Sequence, residues 1–121
     1  MNRHERRSAV RQVRHTDLLT HLVAANEPLD DHATLRNAVL HWRTNLDVRQ
    51  PICIGCKARF FGTDAKVGAF LLSTPVGGPD IVATSAFCTS CHETLPLSEV
   101  DAISTRVLRA LSPNGRFLDA R

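Results

Sequence analysis

The amino-acid sequence predicts an α+β fold, with N-terminal helices packed on a small β-hairpin module and a helix at the C-terminal end. Three observations predict it. Two stretches, near 30–46 and 98–111, repeat apolar residues at helical spacing. Residues 58–87 between them turn strand-like, rich in Val, Phe, Leu and Thr and broken by glycine and proline. The only four cysteines form two Cys-x-x-Cys pairs that bracket this strand-like stretch, Cys53-Ile-Gly-Cys56 and Cys88-Thr-Ser-Cys91.

A length of 121 residues suits one small domain over 15–121, preceded by a basic arm over 1–14. The net charge is only +3, but it is unevenly placed. The first fifteen residues hold Arg3, Arg6, Arg7, Arg11 and Arg14 against Glu5, a local charge of +4, while the rest of the chain sums to −1. Val10 and Val13 fall out of helical phase with Leu18, Leu19, Leu22 and Val23. The arm is therefore read as a solvated, disordered or nascent-helical segment, and a packed helix is expected from about Thr16 to Ala25, stopped by Asn26-Glu-Pro28.

Helices are expected across 15–47. In the second, Asp30 or Asp31 would cap the N-terminus, and Leu35, Ala38, Val39, Trp42 and Leu46 make a stripe about 100° wide. Asp47 to Pro51 reads as an extended connection. The module over 51–95 then takes a short extended piece at Ala58–Phe61, a turn at 62–66 and a strand at 67–73. A loop at 74–79 and a strand from about Asp80 to Phe87 complete it. Val67, Ala69 and Leu71 point one way and Phe70 and Leu72 the other, so this hairpin needs apolar cover on both faces. The last helix, 97–112, would open with a capping box at Ser98 and Asp101. It would bury Val100, Ile103, Val107, Leu108 and Leu111, and stop at Ser112-Pro-Asn-Gly115, with Phe117 and Leu118 folding back on the core.

A Cys-x-x-Cys turn aims two thiolates at one point, and two such turns supply four tetrahedral ligands for a structural zinc ion. The order knuckle, short strand, hairpin, knuckle, helix resembles the zinc-ribbon and treble-clef families over Pro51 to Leu111. That resemblance implies Cys53, Cys56, Cys88 and Cys91 as ligands, with Lys57 and His92 standing where glycine is common after a knuckle. Iron in the same sulfur cage is the alternative metal. A closed four-sulfur site leaves no position for substrate, so it is structural. Its apparent binding energy, roughly 10–16 kcal/mol, exceeds the net stability of a typical small domain.

Other readings of the cysteines are weaker. Cys88-Thr-Ser-Cys-His92 matches the pattern of covalent haem attachment, but this leaves Cys53 and Cys56 unexplained and Met1 as the one methionine. A thioredoxin-like dithiol needs a βαβ setting. Four buried thiols without metal are the remaining alternative. Ser73, Ser85 and Ser90 form no Gly-x-Ser-x-Gly elbow, no phosphate-binding glycine loop is present, and His15 and His21 lie off helical register. Asp30-Asp31-His32 is explained by capping. No catalytic residue and no small-molecule substrate emerge, and a non-enzyme is expected.

Two functions follow. The first is a nucleic-acid-binding or regulatory accessory protein, in which the arm's five arginines with Lys57 and Arg59 contact phosphates. The second is a protein-interaction module or small subunit of a complex, presenting the two-faced hairpin and a loop with Pro75, Val76 and Pro79. No apolar run approaches the roughly 20 residues of a membrane span, and no secretory signal opens the chain, so a cytoplasmic protein with reduced thiols and no membrane partner is expected.

Overall fold

The structure, a computed structural model, describes residues 17–61, 66–77 and 81–119. The arm and its arginines, the turn at 62–65 and part of the hairpin loop, 78–80, lie outside them.

A four-stranded mixed sheet forms the centre, in the order β3-β2-β1-β4. Strand β1 (Leu18–Ala24) pairs antiparallel with β2 (Val67–Pro75), which pairs antiparallel with β3 (Ala83–Cys88). The short β4 (Phe117–Asp119) runs parallel to β1 on its other side. Helix α1 (Ala33–Thr44) and a single turn α2 (Leu46–Arg49) connect β1 to the first cysteine pair. Helix α3 (Thr89–Thr94) follows Cys88 directly and carries Cys91, and α4 (Leu97–Leu111) leads to β4.

The sheet is covered on both faces. Successive strand residues point to opposite sides, so Phe70 and Leu72 join Leu35 and Trp42 of α1 on one face. Leu71 packs with Leu18 of β1 and Leu108 of α4 on the other. The predicted need for cover on both faces of the hairpin is met by these two helices. Trp42 sits edge-on to Phe60 and to Phe70, each at 5.2 Å between ring centres, and so ties α1, the cysteine loop and the sheet together.

The first predicted helix, Thr16 to Ala25, is instead the inner strand β1. Apolar residues at 18, 19, 22 and 23 fit one helical stripe. They fit equally a strand buried on both faces, with Leu18 and Leu22 on one side and Leu19 and Val23 on the other. Pairing with β2 over the whole of β1, Leu18 opposite Pro75 through Ala24 opposite Ala69, decides the matter.

Three local expectations also change. Helix α1 starts at Ala33 with His32 at its cap and no side-chain cap bond, so neither Asp30 nor Asp31 caps it. The segment after Asp47 is a helical turn rather than extended, ended by Gln50 in the left-handed region (φ 48) before Pro51. Helix α4 begins at Leu97 with Pro96 at its cap, which puts Ser98 inside the first turn and removes the capping box. Its buried stripe holds: Val100 and Leu108 are buried, and Ile103, Val107 and Leu111 are half-buried.

The tail is pinned from both sides. Arg116 donates its backbone N–H and its guanidinium to the Asp17 carboxylate, at 2.8 and 2.9 Å. This contact holds the Asp17 carboxyl below the usual carboxylate value. Arg109 donates to the carbonyls of Pro113 and Gly115 and lies over the Phe117 ring, which closes the end of α4. Among the described residues, no helix is long and apolar enough to cross a membrane.

Candidate metal centre

Cys53, Cys56, Cys88 and Cys91 come together, all four sulfurs lying within 4.8 Å of one another. Among the described residues this is the one group of three or more metal-donor side chains whose donor atoms converge. The Cys56 and Cys88 sulfurs are 3.8 Å apart, and none of the four forms a disulfide. Four sulfurs held tetrahedrally at about 2.3 Å from one ion would be separated by roughly 3.8 Å, so the cage has the size that a metal needs.

Local bonds build the first half. The Lys57 N–H donates to the Cys53 carbonyl at 2.9 Å and the Cys53 N–H to Ala58 at 2.7 Å, which closes the knuckle. Lys57 takes the left-handed backbone (φ 68) that glycine usually supplies at this place, so the turn forms without it. An Ile52–Arg59 bridge extends the turn into a small ladder. Phe60 then turns inward beneath Trp42.

The second half is set by the end of the hairpin. Cys88 closes β3 and caps α3, with the Cys91 N–H donating to its sulfur at 3.4 Å. The Ile54 N–H donates to the Ala86 carbonyl at 3.0 Å, so the knuckle docks against β3 and brings the two pairs face to face. Two glycines permit the approach. A Cβ on Gly55 would lie 2.9 Å from the Cys91 sulfur, and one on Gly68 would lie 2.5 Å from the His92 Cβ. Neither was singled out from the sequence; the signal for Gly68 was a glycine inside a strand, which marks a close approach or bulge. The β2–β3 register does shift between Val67 and Ala69.

The electrostatics favour a cation. Burial pushes the Cys53 thiol up, but N–H donation from Cys56, Cys88 and Gly55 outweighs it and brings the group down to about 7. Burial first, and then the neighbouring sulfurs, push Cys91 up. Burial is also the main cause that raises Cys88. The protein alone thus favours the Cys53 thiolate and disfavours those of Cys88 and Cys91, which positive charge at the centre of the cage would stabilise. A divalent thiophilic ion fits this donor set, and all four cysteines would hold it.

Lys57, Arg59 and His92 are exposed around the cage. Cys88 and Cys91 thus share one cage with Cys53 and Cys56. Asp30, Asp31 and His32 line a cleft of about 330 Å³ with His21 and Glu27, but their donor atoms do not converge on a point. Comparison with models of protein families, with curated proteins and with solved structures finds no match to this chain.

Proposed function

We propose that the protein is a non-enzymatic accessory protein that binds nucleic acid, built on a structural zinc ion held by Cys53, Cys56, Cys88 and Cys91. The observation that carries this reading is the closed cage of four sulfurs, two of them fully or nearly buried. Such a donor set is filled by protein on all four corners, so the ion fixes shape and offers no open position for chemistry. The order of knuckle, hairpin and helix resembles that of zinc-ribbon and treble-clef modules, which supports this reading. Phosphate contact falls to Arg3, Arg6, Arg7, Arg11 and Arg14 of the arm, with Lys57 and Arg59 beside the cage.

The competing reading, a protein-interaction module, drew on a hairpin apolar on both faces. Those faces are occupied by α1 and α4, and among the described loop residues Val76 is exposed.

Deleting residues 1–14 tests the proposal. The truncated protein should keep one zinc per chain and its cooperative melt, yet bind DNA or RNA more weakly. Its slope of log affinity against log salt should flatten by about two to four units if three to five arginines each contribute roughly 0.7–0.9. Unchanged or undetectable binding by both forms would leave the protein-interaction reading in the lead.

A further inference from the structure

We propose that Phe61 and Arg59 form a stacking platform for an unpaired base, so that the nucleic acid is single-stranded; the proposal rests on the nucleic-acid reading above. Of the five phenylalanines, Phe61 alone is exposed, at 70%, whereas its neighbour Phe60 is 6% exposed beneath Trp42. Consecutive extended residues point to opposite sides, so anchoring Phe60 inward turns Phe61 outward. The Arg59 guanidinium lies 5.5 Å from the Phe61 ring centre, within the range of a cation–π contact.

This pair is held rather than free. Arg59 donates to the Gln50 side-chain carbonyl at 2.6 Å, and it is bridged to Ile52 across the small ladder. The other side of that ladder is Cys53 and Phe60, both buried, so the metal cage and the aromatic core hold the platform from behind. A ring and a guanidinium fixed side by side offer one flat surface to a base and one cation to its phosphate. Any base serves, because every base has a π-face.

The charge around the pair favours a polyanion. Residues 48–61 contain Arg49, Lys57 and Arg59 and no acidic residue. Their three positive charges exceed the net charge of about −2 on a tetrathiolate centre. Bases in a duplex are already stacked on one another, which leaves an exposed ring little to grip there. Single strands present free faces.

The test is fluorescence anisotropy with a labelled twelve-residue oligothymidylate and a duplex of the same length, using the full metal-loaded chain. Phe61→Ala should weaken oligothymidylate binding by roughly 5–150-fold, the loss of one base–aromatic stack. Phe61→Leu should lose about as much, and Phe61→Tyr little, since only the latter keeps the ring. Leu40→Ala, on the exposed side of α1, should change nothing. Duplex affinity should stay within about twofold for every Phe61 variant. Equal metal content and melting temperature certify that the variants are folded.

Binding of Phe61→Ala at wild-type strength would overturn the platform while leaving the nucleic-acid reading to the arm. Retained affinity in Phe61→Leu would also overturn it, because simple apolar contact of the kind a peptide makes would then suffice. Failure of the full chain to bind either oligonucleotide at low salt would overturn both.

Discussion

At the scale of single residues, Lys57 is the most informative. Its left-handed backbone costs about 1–2 kcal/mol for a residue with a Cβ, yet the knuckle needs that conformation for the Lys57 N–H to reach Cys53. Lys57→Gly should remove the strain and recover about 0.5–1 kcal/mol after the greater freedom of glycine in the unfolded chain is subtracted. Denaturant titration of the metal-loaded protein measures it. A loss of stability instead would mean that the lysine charge beside the cage outweighs its backbone strain. The sequence showed that a glycine was missing here but held no information on whether the turn would form anyway, because the answer lies in bonds closed by Ala58 and Cys53. Phe61 is a similar case. Nothing local distinguishes it from Phe60, and only the position of Trp42 selects which ring turns inward.

At the scale of elements, β1 carries the main lesson. Seven residues, Leu18–Ala24, are too few for periodicity to separate a helix from a strand covered on both sides. The strand wins because each of its residues has a partner in β2 and because α1 and α4 take its two faces. The short helix α3 illustrates another dependence. Its start presses on Gly68, where a Cβ would lie 2.9 Å from the Cys88 carbonyl and 3.0 Å from the Thr89 Cα, two backbone atoms that cannot swing aside. Gly68→Ala should therefore destabilise the protein by about 1–3 kcal/mol, with part of the loss appearing as weaker metal affinity, since Cys88 must move. Competition against a chromophoric chelator, together with thermal melting, checks both effects. An unchanged melt would show that β2 and α3 separate at little cost.

At the scale of the whole molecule, the cage joins segments that lie 35 residues apart in sequence, and it sits where the knuckle, the hairpin and α3 meet. Removing one ligand should be felt throughout. Cys88→Ser should lower the melting temperature by more than about 10 °C, given a shift of roughly 4–8 °C for each kcal/mol in a domain of this size. His92→Ala should stay within about 2 °C, because the ring is exposed and the Cβ that abuts Gly68 is retained. Equal losses would make His92 a ligand. Elemental analysis should find one ion per chain in protein purified under reducing conditions, and a metal-free, cooperatively folding product would refute the cage as a metal centre.

The chemistry of the site was legible in the sequence because it depends on residue type and local spacing. Two Cys-x-x-Cys pairs in a chain with no other cysteine point to four sulfurs gathered in one place, and the structure brings those four together. The amphipathic stripes of α1 and α4 were legible for the same reason, since Leu35, Trp42, Val100 and Leu108 recur with the period of the helix itself. Tertiary structure decided what has no local period. It made Leu18–Ala24 a strand, moved the caps of α1 and α4, placed Gly68 under α3 and sent Phe61 outward. Each of these outcomes is set by a partner distant in the chain, and a short apolar segment takes whichever conformation buries its side chains against the neighbours it meets.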